Sequence, residues 1–240
     1  MVSDGADARP AGGDRRREPP DDRPRDKCGV FAVSGSEAAA ELTYMGLYAL
    51  QHRGQESAGI VAVDDEGEAR SHRGMGLVSE IFEDEHIRQL EGSTSVGHVR
   101  YSTAGYSAMR NAQPVLVDYR RGPLSLAHNG NLTNGLELRE RLTREGAIFQ
   151  TDSDSEVIIH LISNSRREEE AQQVDDALTQ VTGAFSLVIS IGDTLYAARD
   201  PRGYRPLLLG ELDGATIVAS ESCALDIIGA EYVRDVQPGE

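Results

Sequence analysis

Cys28-Gly29-Val30-Phe31-Ala32-Val33 is a short apolar run that reads as a buried β-strand. Residues 1–27 precede it. They hold four of the nine prolines, seven acidic and seven basic side chains, and almost no large apolar group. Such a segment buries too little apolar surface to offset the entropy of ordering, so it is expected to be disordered. A cysteine at that border has two readings. It is a small buried residue, because free cysteine is among the most buried types. Alternatively, residues 1–27 are a pro-segment. Its removal makes Cys28 the N-terminal residue, joining a thiol nucleophile to an α-amine of pKa about 7.7–8.0 that acts as its base.

The 240 residues allow one large domain or two small ones, and 39% apolar content supports a globular body. No apolar run reaches the roughly 18 residues of a membrane span. The polar, acidic start MVSDGADARPAGG is not a secretory signal. Two cysteines, Cys28 and Cys223, make neither a disulfide framework nor a metal-ligand spacing. The six histidines show no close ligand pair, so no protein-bound metal is expected. A reduced, cytoplasmic setting follows from this cysteine usage.

Net charge is 24 − 40 = −16, and the leader is balanced, so all of it falls on residues 28–240. Nucleic-acid binding wants the opposite sign, and none is expected. Lys27 is the sole lysine. Acidity with so little lysine fits a high-salt cytoplasm, where self-repulsion is screened, or else a GC-rich genome.

The periodicity predicts strands at 28–34, 60–63, 68–73, 95–99, 124–127, 184–191, 194–199, 206–209 and 215–219. It predicts helices at 38–51, 77–90, 133–145, 168–181 and 222–228, with a capping box at Ser153-Asp154-Ser155-Glu156 before Val157–Ile162. Residues 104–114 read as a loop. The strands come in hairpin-like pairs, which favours two sheets face to face with helices outside over a doubly wound parallel sheet.

Polar clusters sit at the ends of these elements. Arg100 is a surface cation or a carboxylate clamp; Asn129-Gly130 is an ordinary turn or an oxyanion hole; Asp154 is a helix-terminal acid or an ammonium partner. Together with Cys28 they supply what acyl transfer from an amino acid amide needs. A papain-like pairing of a cysteine with His98 or His128 is the competing chemistry.

At these residues the chain resembles the amidophosphoribosyltransferase family, in its N-terminal class II glutamine amidotransferase domain. The markers are CGVF at 28–31, LQHRGQESAGI at 50–60, GHVRYSTAG at 97–105, LAHNGNL at 126–132, TDSDSE at 151–156, RDPRGYRPL at 199–207 and SESCALD at 220–226. The resemblance implies an α+β N-terminal-nucleophile hydrolase fold, a four-layer αββα sandwich of two antiparallel sheets. It implies that residues 1–27 are an autocatalytically removed propeptide and that residues 28–240 are the glutaminase domain. Cys28 is then the nucleophile, and Asn129 and Gly130 the oxyanion hole. Arg100, Thr103 and Asp154 hold the glutamine head group, and Arg53 lies in a mobile closing loop. Cys223 falls in a stretch that is structural in the family.

The implied reaction is hydrolysis of glutamine to glutamate and ammonia through a Cys28 thioester. The ammonia goes to 5-phosphoribosylamine in the first step of de novo purine (IMP) synthesis. The family's phosphoribosyltransferase domain is expected to be absent from this chain. With it go Mg²⁺ and the iron–sulfur cluster of some members, leaving no cofactor expected here. Glutamine is the expected ligand, a phosphoribosyltransferase domain or chain the expected partner, and a homo-oligomer an admissible assembly. No membrane partner is expected. Two other readings are a glutaminase subunit of a different synthase and an unprocessed, inert regulatory module.

Overall fold

Val30 and Ala32 of the first strand face one buried layer, and Phe31 and Val33 face another. A strand covered on both faces has no polar side to show, which is why its sequence is continuously apolar. The computed structural model describes residues 28–101 and 108–240. The pro-segment reading of residues 1–27, and Thr103, fall outside them.

In chain order the elements are β1 (Gly29–Ser34), α1 (Ala39–Ala49), β2 (Ser57–Val63), β3 (Ala69–Met75), α2 (Val78–Ile81), α3 (Asp84–Gln89), β4 (Thr94–Arg100), β5 (Val115–Tyr119) and β6 (Gly122–Leu132). Then come α4 (Gly135–Arg144), α5 (Ser155–Asn164), α6 (Glu170–Leu178), β7 (Gly183–Ile191), β8 (Thr194–Arg199), β9 (Leu208–Leu212), β10 (Ala215–Ala219), α7 (Cys223–Ile228) and β11 (Glu231–Asp235). Among the described residues the strands form a seven-stranded sheet, ordered β11-β9-β10-β1-β4-β2-β3, and a four-stranded sheet, β5-β6-β7-β8. Strand neighbours in both sheets are antiparallel. The predicted α+β sandwich is the observed one.

Three apolar layers hold it together. Phe31, Leu47, Leu50 and Ile60 fill the space between the larger sheet and the α1 side. Leu126, Leu142, Ile158 and Leu187 do the same for the smaller sheet under α4, α5 and α6. Between the sheets most buried side chains are small, Val30, Ala32, Val96, Ala127, Val188 and Val218 among them, with Leu207 the larger exception. The Ser125 and Ser190 hydroxyls satisfy each other there at 2.7 Å. Small residues bring the two sheets close, so groups at the strand ends of one can reach the other. No helix among the described residues is long and apolar enough to cross a membrane.

Four local readings differ from the structure. The helix over 77–90 is two short ones, because Phe82 leaves helical geometry to bury its ring against Tyr44. The strand at 124–127 runs on to Leu132, so Asn129-Gly130 is ladder and not a turn: Gly130 pairs with Phe185. Strand β11 is exposed along its length and carries no apolar alternation; pairing with β9 alone defines it. The capping box does not form. Glu156 is buried and accepts from the main-chain N–H groups of Gln150 and Thr151, each at 2.8 Å, pinning the loop ahead of α5.

Helix α1 lies close on β1 and β4 because Gly46 and Gly97 leave room for it. A Cβ on Gly46 would fall 2.5 Å from the Phe31 ring, and one on Gly97 2.5 Å from Thr43 Cγ2. Gly46→Ala tests this. Helix propensity alone favours alanine by about 1 kcal/mol. Overpacking typically costs about 1–3 kcal/mol. The variant is expected to be destabilised, with a lower midpoint in urea unfolding; an increased midpoint would refute the close-packing account.

Candidate active site

Cys28 stands where β1 begins, beside the end of β4: Gly29 pairs with Val99, which places the cysteine against Arg100. Its φ is +72°, the left-handed region that a side chain disfavours. Arg53 holds it there from both sides of the peptide. The Cys28 N–H donates to the Arg53 carbonyl at 3.0 Å, and Arg53 Nε donates to the Cys28 carbonyl at 2.7 Å. The same guanidinium makes a close ion pair with Glu221, which His52 Nε2 also meets at 2.9 Å. Burial pushes the Glu221 carboxyl up, but Arg53 and His52 outweigh it and hold it below the usual range.

Arg53 is thus placed differently from its expected loop. It ends a 3₁₀ turn, Leu50–Arg53, and its side chain is buried. Gly54 follows because the chain passes tightly over β4: a Cβ there would lie 2.6 Å from the Arg100 nitrogen.

The half-buried Cys28 thiol sits 3.6 Å from the Tyr101 carbonyl. Burial raises its pKa, against opposing contributions from Tyr101, Arg100 and Arg53. A thiol held protonated needs a base before it can attack. Arg100 donates to Glu56 Oε1 at 2.7 Å, and the Glu56 N–H returns a bond to the Arg100 carbonyl.

The second group lies on the smaller sheet. Asn129 is fully buried on β6. Gly130 has φ +153°, and a Cβ there would fall 2.0 Å from the Ala184 oxygen, so this position tolerates only glycine. Asp154 sits at the start of α5 and accepts from the Leu132 N–H at 2.7 Å. Its other oxygen is 3.7 Å from His128 Nδ1, which also meets Ser155 Oγ at 3.0 Å. Gln113 accepts from the His128 N–H at 2.8 Å.

His98 joins the two groups. From β4 its Nε2–H donates to the His128 carbonyl on β6 at 3.1 Å, across the space between the sheets. That commits its tautomer, and burial pushes its pKa down to about 3. His128 is also lowered by burial, with Asp154 opposing. This geometry favours neither histidine as a papain-like base. The structure therefore places Cys28, Arg53 and Arg100 in one cluster and Asn129, Gly130 and Asp154 in another, and bridges them. Sequence reading missed Glu221, Glu56 and Gln113. Glu221 stands 168 residues from Arg53, and only its place inside a marker could have drawn notice.

A face-to-face antiparallel sandwich with a cysteine at the head of its central strand is the architecture of the N-terminal-nucleophile amidotransferases. The chain belongs to the glutamine amidotransferase domain family, whose model matches residues 98–226. Among curated proteins it is 50% identical over 216 residues to an amidophosphoribosyltransferase of Rhizobium etli, covering 90% of this chain and 43% of that one. It is 48% identical over 221 residues to amidophosphoribosyltransferase 2, chloroplastic, of Arabidopsis thaliana, covering 92% of this chain and 39% of the other. Among solved structures it matches the glutamine phosphoribosylpyrophosphate amidotransferase of B. subtilis complexed with ADP and GMP. The TM-score is 0.83 at 44% identity, over 88% of this chain and 46% of that one. The chain spans less than half the length of these relatives.

The buried histidines set an acid limit. The unfolded chain takes up their protons near pH 6.5; in the folded chain burial lowers both, His98 to about 3. Their neutral burial is therefore fully tolerated above about pH 6.5, and stability falls as pH drops toward 3. His98 removes about 1.4 kcal/mol per pH unit in that range. Urea midpoints measured from pH 7.5 to 5.5 are expected to decline, and to decline less in His98→Gln. Identical slopes in both proteins would contradict the assignment.

Proposed function

We propose that this domain hydrolyses glutamine to glutamate and ammonia through a thioester on Cys28. Residues 1–27 are a propeptide, and their removal frees the α-amine at the atom that now donates to Arg53. The observation that carries the reading is the Cys28 environment. Its thiol is raised by burial and hydrogen-bonds to a carbonyl, so the nearest base in the processed protein is its own amine. That amine, of pKa about 7.7–8.0, is substantially neutral near pH 7.5.

In the proposed reaction the amine accepts the thiol proton and the sulfur attacks the side-chain carboxamide. Asn129 Nδ2–H and the Gly130 N–H stabilise the oxyanion. The amine returns its proton to the leaving nitrogen, ammonia departs, and water cleaves the thioester. Arg100, Thr103 and Asp154 hold the carboxylate and ammonium of glutamine, and Arg53 acts through Cys28. The ammonia serves 5-phosphoribosylamine formation at the start of de novo purine synthesis, in the cytoplasm, with a phosphoribosyltransferase domain or partner chain. The support is that the relatives are amidophosphoribosyltransferases. Mg²⁺ belongs to that acceptor half. An iron–sulfur cluster takes four thiolates, which the two cysteines of this chain do not supply.

Asn129→Ala tests the oxyanion role. Losing one such donor typically lowers kcat about 10²–10³-fold. Ammonia release from glutamine is expected to fall by that factor with KM little changed. A variant with parental kcat would refute the assignment. Co-purification with a different synthase, and no phosphoribosyltransferase, would redirect the ammonia to another acceptor.

A further inference from the structure

The 3₁₀ turn Leu50–Arg53 and the start of α7 bring together three side chains far apart in sequence. His52 Nε2, Glu221 Oε2 and Cys223 Sγ all lie within 4.8 Å of one another. His52 Nδ1 is 3.0 Å from the Ala49 carbonyl oxygen. A carbonyl only accepts, so Nδ1 carries the hydrogen. In the neutral ring Nε2 then presents a lone pair, and it points at the Glu221 carboxylate 2.9 Å away. Two acceptors at that distance repel unless a positive charge stands with them.

A proton on the ring is one such charge. It accounts for His52 and Glu221 and leaves the Cys223 thiol as a hydrogen-bond donor to the same carboxylate; a divalent ion can take the place of both hydrogens. Cys223 Sγ lies 3.7 Å from the same carboxylate oxygen. A histidine whose second N–H is held by a main-chain carbonyl is the usual posture of a metal ligand. Tetrahedral zinc, with bonds of about 2.0–2.3 Å, wants ligand atoms about 3.3–3.6 Å apart. The separations from Glu221 Oε2, 2.9 Å to His52 and 3.7 Å to Cys223, lie a few tenths of an ångström either side of that range, and all three atoms lie within 4.8 Å of one another. A nitrogen, oxygen and sulfur set suits zinc or cobalt, not the all-oxygen preference of Mg²⁺ or Ca²⁺. The side chains of His52 and Glu221 are 56% and 35% exposed, so an ion and a fourth, water ligand can reach them.

We propose that His52, Glu221 and Cys223 form a binding site for one divalent cation of the zinc class. Binding displaces the thiol proton of Cys223 to solvent and forms the sulfur–metal bond. Glu221 Oε1 remains on Arg53, so the ion and the clamp on Cys28 share one carboxylate.

Cobalt titration tests this in the full chain carrying Cys28→Ala, which removes the other thiol. One equivalent of Co²⁺ is expected to bind with thiolate charge-transfer absorption and the visible bands of a tetrahedral site. Zn²⁺ is expected to displace it. Cys223→Ser should abolish the charge-transfer absorption. His52→Ala should weaken binding at least about tenfold while keeping that absorption, with His52→Gln used if the alanine variant loses its near-ultraviolet circular dichroism. No thiolate band with Co²⁺ in excess overturns the proposal and leaves the ring proton as the charge. A band that survives Cys223→Ser overturns it as well. Neither readout depends on glutamine hydrolysis.

Discussion

The paired hydrogen bonds between Cys28 and Arg53 set the geometry of everything around them. Left-handed backbone at a non-glycine residue costs about 1–3 kcal/mol. One neutral bond returns about 0.5–1.5 kcal/mol, and one to a charged donor about 1.5–3. Together they outweigh the strain. Glu221 anchors the guanidinium, so the conformation of Cys28 rests on an acid near the other end of the chain. Ser220, next to it, accepts from the Val30 N–H at 2.9 Å and ties the same segment to β1.

The sandwich sets this clamp and the Asn129-Gly130 stretch of β6 on facing sheets. β1 lies inside the larger sheet, between β10 and β4; β4 pairs it from Gly29 onward and β10 from Phe31 onward, so Cys28 precedes a strand end held by Val99. β6 runs between β5 and β7, and beyond Leu126 it is paired by β7 alone, which holds Asn129 opposite Ser186. The mostly valine and alanine layer between the sheets lets His98 span them with one side chain. A neutral imidazole suits that place, because a charged one would be buried without a counterion and would cost far more.

The sequence made the buried strands legible. β1, β2 and β7 carry apolar runs that admit little else, and the two-sheet class followed from their hairpin-like pairing. β11 stayed invisible, because an exposed edge strand is defined by its partner and not by its own pattern. The helix at 77–90 failed where Phe82 gained more from burial in the core than from helical geometry. Cys28, Arg100, Asn129, Gly130 and Asp154 drew notice as candidates through local motifs near the ends of elements. Glu221 was not, since its value comes from a contact that only the folded chain creates. The meeting of His52 with Cys223 was hidden in the same way.

The central claim is that one residue, at a newly exposed chain end, carries both sulfur and base. Treating the active protein with a glutamine-mimicking electrophile and mapping the adduct by mass spectrometry tests it directly. The account requires a single adduct on Cys28, in a peptide that begins at that residue. An adduct on Cys223, or active protein that still carries Met1, would contradict it.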